Sequence, residues 1–187
     1  MRSQALLSSS CSPWTMTGLA VLVLLAATPA YAQVSCRLLQ PAELESTMKE
    51  WAAGGKATKF SGVTDSSSGI AFDTCRSEIV RPGQGNLQIT VAVVKNLPMT
   101  GSDAIRTRNA ALAREGGRKD KGALFEEKTV GKSFCTRYGR PSVAAHSVCA
   151  IPRGTEYVEV EVIAPSLKEL PSMDAVGGLV QKANSRL

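Results

Sequence analysis

Apolar and polar residues alternate through much of the chain, and this alternation predicts β-strands. The strongest strand signal is the segment 86–94, in which Leu87, Ile89, Val91 and Val93 occupy every second position and so share one face. A turn at residues 81–85 precedes it, and serines followed by Gly69 indicate a hairpin turn at 66–69. Further strands are predicted at residues 70–75, 123–129, 133–138, 143–151 and 156–163.

The last predicted strand alternates valines with acidic residues. Val158, Val160 and Val162 are predicted to face the core, and Glu159 and Glu161 to face solvent. The two carboxylates share a face and could form an acid/base pair. The regular alternation favours a solvated outer surface instead.

Helical spacing of apolar residues predicts three helices. The first has Pro41 in its first turn, carries Leu44, Met48 and Trp51 on one face, and ends at the glycine pair 54–55. The second begins at Ser102 or Asp103, runs to about residue 114 and lies on the surface, because its large apolar residues are few. The third begins near residue 166 or just past 171, with an apolar stripe of Met173, Val176, Leu179, Val180 and Ala183.

These elements follow the order helix, strands, helix, strands, helix. Successive strands joined by short turns pair in antiparallel fashion, and the helices need an apolar surface to cover. The sequence therefore predicts an α+β fold, an antiparallel β-sheet with helices packed on it, formed by a single domain at residues 33–187.

The first 32 residues have the pattern of a secretory signal peptide. Arg2 gives a positive start, an apolar run begins at Leu19, and Ala30-Tyr31-Ala32 provides a small-residue cleavage site. The run is too short to span a bilayer comfortably, which favours cleavage over a retained anchor. We therefore expect an exported protein, periplasmic or extracellular.

Positive charge is concentrated in one window of the chain. The formal net charge is +6, and loss of Arg2 with the signal leaves +5. Residues 106–121 hold six cations and two acids, which is +4 of that total. Such a helix-loop suits an anionic envelope component, a lipid head group or a glycan, although a solvated surface and a contact to another envelope protein stay open. Nucleic acid is not expected, because the window has no stacking aromatics. The candidate binding residues are Arg106, Arg108, Arg114, Arg118, Lys119 and Lys121.

Four cysteines remain once Cys11 leaves with the signal peptide, and an even number in an exported protein predicts disulfides. No C-x-x-C occurs, so neither a zinc ribbon nor a thioredoxin-type pair is expected. Of three possible pairings we favour Cys36–Cys75 and Cys135–Cys149, the second across the turn between two adjacent strands. The alternative to a disulfide at Cys36 is attachment of a lipid, but Gln33 and Val34 do not match the residues that precede a lipidated cysteine.

The segment Cys36-Arg-Leu-Leu-Gln-Pro-Ala-Glu-Leu resembles the start of a family of exported bacterial domains of unknown function. In that family a Cys-x-Leu-Leu start leads into a helix with an early glutamate, and a later strand carries a second cysteine, at the place of Cys75 here. A closing valine-rich strand and helix also match. The resemblance implies a PsbP-like α/β/α sandwich, often in a lipoprotein, and it implies no catalytic residues.

Chemistry is restricted by the single histidine, His146. A nucleophilic triad would have to use it, yet His146 and Cys149 are three apart on a predicted strand and therefore face opposite ways. We expect a non-enzymatic binding or accessory protein with no cofactor and no metal site. The alternative is an exported hydrolase or thiol enzyme that uses His146 or a free cysteine.

The export and disulfide predictions share one test. Intact mass spectrometry of the unreduced exported protein should give a chain that begins at Gln33 and lacks four hydrogens. A diacylglycerol adduct on Cys36 would contradict both the pairing and the cleavage site.

Overall fold

The fold is an antiparallel sheet with helices on both faces. A computed structural model describes it for residues 34–67, 69–116, 122–140 and 143–187. These residues belong to one compact unit. The α+β class predicted from the sequence is confirmed. The elements are α1 (Ser35–Leu38), α2 (Pro41–Thr47), α3 (Lys49–Ala52), β1 (Lys56–Ala57), β2 (Ser61–Ser67), β3 (Ile70–Val80), β4 (Leu87–Lys95), α4 (Gly101–Gly116), β5 (Leu124–Val130), β6 (Ser133–Gly139), β7 (Ala145–Arg153), β8 (Glu156–Ala164), a 3-10 turn (Leu167–Glu169) and α5 (Met173–Asn184).

All strand pairs are antiparallel, and the spatial order is β1-β3-β4-β8-β7-β6-β5, with β2 also paired to β3. Strand β8 joins the β3–β4 half to the β5–β7 half. It lies between β4 and β7, so its side chains meet neighbours on both sides. The strands beginning at residues 123, 133, 143 and 156 are confirmed within two residues of their predicted starts.

The main core lies between the inner face of the sheet and the helices α1, α2 and α5. The predicted inward residues of β4 and β8 are all buried there, and so is the predicted stripe of α5 apart from Met173, which is partly buried against the core. Ser172 caps α5 by accepting a hydrogen bond from the Ala175 backbone N–H at 3.2 Å. Gly177 lies so close to Val130 that a Cβ would be 2.7 Å from it, which explains a glycine inside this helix.

The predicted first helix is divided. Helices α2 and α3 are separated at Met48, whose backbone leaves the helical region, and α3 ends where Ala53 adopts a left-handed conformation. Leu44 and Met48 are fully buried, and Trp51 packs against the core with part of its surface exposed. Pro41 lies in the first turn as predicted. Helix α1 was not predicted.

Both predicted disulfides are present. Cys36 in α1 joins Cys75 in β3, with 5.1 Å between the Cα atoms, and Cys135 joins its cross-strand partner Cys149 with 4.1 Å. Near the first bond, the Ser35 hydroxyl donates to Asp73 at 2.7 Å and the Val34 N–H donates at 2.8 Å. The N-terminal segment is therefore attached to β3 by a covalent bond and by charge-assisted hydrogen bonds.

The C-terminal end of the chain is bonded to α2 through the carboxylate of Glu43. Arg186 donates to both oxygens of Glu43 at 2.7 Å and to the Leu38 carbonyl at 2.7 Å, and Lys182 Nζ lies 3.4 Å from Glu43. The Gln40 N–H also donates to Glu43, at 2.8 Å, completing a capping box. The hydrogen bond from Arg186 is the main cause that lowers the pKa of Glu43 to about 2.

Several sequence predictions lie outside the described residues: the signal peptide at 1–32, most of the loop at 116–122, and Ser68 in the hairpin turn. Strands β2 and β3 do form that hairpin. No helix within the described ranges is long and apolar enough to cross a bilayer.

We expect Glu43→Gln to lower the free energy of unfolding by about 1–2 kcal/mol at pH 7. The hydrogen bonds from Arg186 would then have a neutral amide as acceptor in place of a carboxylate. The folded pKa lies below the ordinary value of 4.5, so this stability is fully present above about pH 4.5 and is lost as the pH falls toward 2. Urea unfolding at pH 7 and pH 2.5 measures it. The difference between the two proteins should be clearly smaller at the lower pH, and the exposed Glu50→Gln is the matched control. A constant difference at both pH values would contradict the prediction.

Candidate functional site

Helix α4 covers the outer face of the sheet, contacting β5, β6, β7 and β8. Ile105 is buried and Asn109 is nearly so, and both are on the side of the helix that faces the strands. The helix lies on the surface as predicted, but the predicted cap at Ser102 or Asp103 is corrected. Thr100 is the cap: its hydroxyl accepts from the Asp103 N–H at 3.1 Å and donates to the Asp103 carboxylate at 2.7 Å.

The start of α4 is pressed against the β7–β8 hairpin. The Gly101 N–H donates to the Gly154 carbonyl at 2.7 Å, and a Cβ at position 101 would collide with the Glu156 carbonyl oxygen. A glycine is required at this close approach. The contact fixes which face of the helix meets the sheet.

Arg108 is on that inward face. Its guanidinium forms an ion pair with Glu159 of β8, and the two side chains are 23% and 19% exposed. It also donates to the Asn109 side-chain oxygen at 3.2–3.3 Å. Burial lowers the pKa of the Arg108 guanidinium, and the nearby Tyr157 partly offsets this effect. Burial also raises the pKa of Tyr157. Arg108 is therefore an internal ion-pair residue, and its prediction as a contact to an external anion is corrected.

Glu161 and His146 form a second pair on the same face. The Nδ1 atom of His146 lies 2.8 Å from the Glu161 carboxylate, and the two side chains are 26% and 24% exposed. The imidazole stacks on Tyr138, its cross-strand partner, with 4.7 Å between ring centres and 5° between ring planes. The prediction that Glu159 and Glu161 face open solvent is wrong, because α4 lies over this part of the sheet and each carboxylate has a basic partner there.

This geometry orients His146, and the described residues bring no nucleophile to it. Within the described ranges, no serine, threonine or cysteine side chain is hydrogen-bonded to the imidazole. Cys149 is on the opposite face, as predicted, and all four cysteines of the described residues are in disulfides. The alternative of a free thiol therefore has no support from these four. Nor do the described residues contain a group of three or more His, Cys, Asp or Glu side chains arranged for a metal ion.

A pocket of about 290 Å³ opens beside this cluster. It lies between the C-terminal half of α4 and the connection from β6 to β7. Its wall combines aromatic, apolar and basic side chains from three parts of the chain. The lining residues are Leu112, Tyr138, Gly139, Arg140, Val143, Ala144 and His146.

Among the described residues, the basic candidates Arg106 and Arg114 do not join this cluster. Arg106 is 71% exposed with Asp103 at 3.5 Å, and Arg114 is exposed with its Nε donating to the Ala110 carbonyl at 3.2 Å. The other three candidates, Arg118, Lys119 and Lys121, lie outside the described residues.

Sequence reasoning missed the Arg108–Glu159 pair and the ring pair of Tyr138 and His146. A signal for the first was available. Ile105, Arg108 and Leu112 follow one another at intervals of three and four, so Arg108 lies on the narrow apolar stripe of α4 and not on its polar side. The ring pair depends on the register between β6 and β7, which the sequence pattern alone does not determine.

We expect Arg108→Leu to lower the free energy of unfolding by about 2–4 kcal/mol, because it leaves Glu159 charged and poorly solvated under α4. Replacing both partners with leucine should recover part of that loss. Urea unfolding of the two variants and of the wild type measures it.

The matched control is Arg106→Leu, which removes an exposed ion pair on the same helix and should change stability by less than about 0.5 kcal/mol. Equal effects of the two single substitutions would show that Arg108 is not an internal ion-pair residue.

Comparison with known proteins gives little further guidance. No family model and no curated protein matches the chain. One similar solved structure is the extracellular domain of PknH from Mycobacterium tuberculosis, at 13% sequence identity and a TM-score of 0.45, covering 80% of this chain and 94% of that one. A similarity at this level carries no argument about function.

Proposed function

We propose that the protein is an exported bacterial binding or accessory protein, not an enzyme, that contacts an anionic envelope component through α4 and the basic segment after it. Two disulfides are typical of a protein that works in an oxidising compartment, and we assign it to the periplasm or the cell exterior. The anionic component is a lipid head group or an acidic glycan.

The observation that carries the proposal is the division of the arginines on α4. Arg108 is turned toward the sheet, whereas Arg106 and Arg114 are on the exposed side of the helix. In the sequence, Arg118, Lys119 and Lys121 follow directly. Cations near an anionic membrane surface contribute about 1 kcal/mol each, so five of them can hold a small domain there.

An enzymatic alternative has one observation in its favour, the carboxylate–histidine pair of Glu161 and His146. Such a pair orients a general base in many hydrolases. The proposal of a binding protein is preferred because the pair has no hydroxyl or thiol partner in the part of the chain that the structure describes.

We expect glutamine at positions 106, 114, 118, 119 and 121 together to weaken binding to phosphatidylglycerol vesicles by at least about tenfold at 0.1 M salt. Co-sedimentation of the exported protein, with phosphatidylcholine vesicles as the neutral reference, measures it. The matched control replaces five exposed cations elsewhere and gives the same net charge: Arg37, Lys49, Lys59, Arg76 and Lys132.

Equal losses in the two variants would show a dependence on net charge alone, and absence of binding by the wild type would remove lipid as the component. The same pair of variants is then tested on an immobilised acidic glycan, and failure there overturns the proposal. Hydrolysis of p-nitrophenyl acetate that disappears in His146→Ala would support the enzymatic alternative.

A further inference from the structure

Strand β5 forms one edge of the sheet. Among the described strands it pairs with β6 alone, and its residues 126–129 are all exposed. An edge strand carries a row of backbone N–H and C=O groups with no partner in its own sheet, and such a row can pair with a strand of another chain. Backbone hydrogen bonds supply affinity in this kind of contact, and side chains select the partner.

The register of the β5–β6 hairpin shows which backbone groups of β5 point away from β6. Val130 and Ser133 are paired on either side of a two-residue turn, in which Gly131 has a φ of 58°. The residues that close such a turn exchange both backbone hydrogen bonds, and bonded and non-bonded pairs alternate along the strands from there. The residues whose backbone groups point outward are therefore Phe125, Glu127 and Thr129.

The neighbouring disulfide agrees with this assignment. The Cα atoms of Cys135 and Cys149 are 4.1 Å apart. A cross-strand pair without backbone hydrogen bonds has a Cα distance of about 4.5 Å, and a bonded pair one of about 5.5 Å. The backbone of Cys135 therefore bonds to its other neighbour, Lys128 of β5, and the residues on either side of Lys128 face the open edge.

This edge is complementary to a second copy of itself. Two antiparallel β5 strands can be centred on a two-fold axis at Glu127. Phe125 then lies opposite Thr129 of the second copy, and all outward backbone groups are paired. In the same register Glu126 lies opposite Lys128 of the second copy, and the symmetry forms this contact twice. Registers centred on Glu126 or on Lys128 place like charges opposite each other and pair fewer outward groups.

The charges near Glu126 and Lys128 favour the same register. The two side chains share one face of β5, and each is 46% exposed. The Arg137 guanidinium lies 3.8 Å from the Glu126 carboxylate, and the Asp174 carboxylate lies 2.7 Å from the Lys128 ammonium group. Positive and negative charges would therefore alternate across the two copies. Their order is Arg137 and Glu126 of one copy, then Lys128 and Asp174 of the other.

We propose that the protein forms a weak, reversible dimer by antiparallel pairing of β5 with β5 of a second copy, centred on Glu127. A single strand edge gives an interface at the low end of the size range, below about 1,200 Å², and the two Glu127 carboxylates repel each other at the axis. The axis is perpendicular to the sheet, so the α4 helices of both copies lie on the same side. The dimer itself does not depend on the proposed function. A consequence that does rest on that function is that one anionic surface would meet two basic segments.

Sedimentation equilibrium of the exported protein measures the association. We expect a dissociation constant between about 10 and 500 µM at about 0.1 M salt. Lys128→Glu places glutamates opposite each other and should weaken dimerisation at least about tenfold. The matched control Lys49→Glu makes the same change of charge at an exposed position of α3 and should alter dimerisation less than about twofold.

A charge exchange tests the register. Glu126→Lys alone should weaken dimerisation as Lys128→Glu does, whereas the variant with both substitutions has opposite charges facing each other again. It should dimerise at least about threefold more tightly than either single variant. The recovery is partial because Arg137 and Asp174 keep their charges.

The position of the axis is tested by Glu127→Gln, which removes the repulsion between the two copies. It should tighten dimerisation at least about threefold, although the higher net positive charge by itself would weaken it. Glu50→Gln, at an exposed position of α3, makes the same change of charge and should give no tightening.

The fivefold glutamine variant of the basic residues should still dimerise, which separates this contact from the vesicle contact. A monomer at every concentration up to about 1 mM would overturn the proposal. Equal effects of Lys128→Glu and Lys49→Glu, or no recovery in the variant with both substitutions, would also overturn it.

Discussion

The placement of strand β8 with helices on both of its faces is the constraint around which the domain is arranged. Its valines need an apolar layer, which the inner helices supply, and its glutamates need partners on the opposite face. A carboxylate covered by a helix is tolerated only when a charged or polar group compensates it. Arg108 compensates Glu159, and His146 compensates Glu161. Helix α4 can therefore lie across the sheet with the Arg108–Glu159 ion pair among its otherwise apolar contacts.

The N-terminal segment obeys a different constraint. Helices α1 to α3 are short, and helices of this length are not stable on their own. They are held by contacts made far along the sequence: the disulfide to β3, the hydrogen bonds to Asp73, and the bonds between Glu43 and Arg186. Arg81 adds to this by donating to the Trp51 carbonyl at 3.2 Å and to Glu169 at 2.7 Å. These contacts stabilise the three short helices, which are too short to be stable by themselves.

The sequence predicted the features that depend on local pattern. The strand containing Val91 and the final helix around Leu179 follow from periodicity, and the Cys135–Cys149 pairing followed from the turn between two adjacent predicted strands. The division of the first helix at Met48 could not be predicted from periodicity, because tertiary contacts override helical propensity there. The strands β1 and β2 were missed because they are edge segments separated by residues 58–60, without a clear apolar alternation of their own. Of the site, the sequence singled out His146, Arg108 and the glutamates of β8, but not how these residues pair, since the pairing depends on register and on which face α4 covers.

The Cys36–Cys75 bond also determines how the domain would respond to tension. A pull applied to the chain ahead of Val34 reaches Cys36 after two residues and then crosses the sulfur–sulfur bond into the middle of β3. The loop of chain between the two cysteines, with its three helices and two edge strands, is bypassed and bears no load. A domain tethered at its N-terminal side to a moving surface would therefore transmit force directly to its sheet, and the helices beside Cys36 would stay folded until the disulfide was reduced.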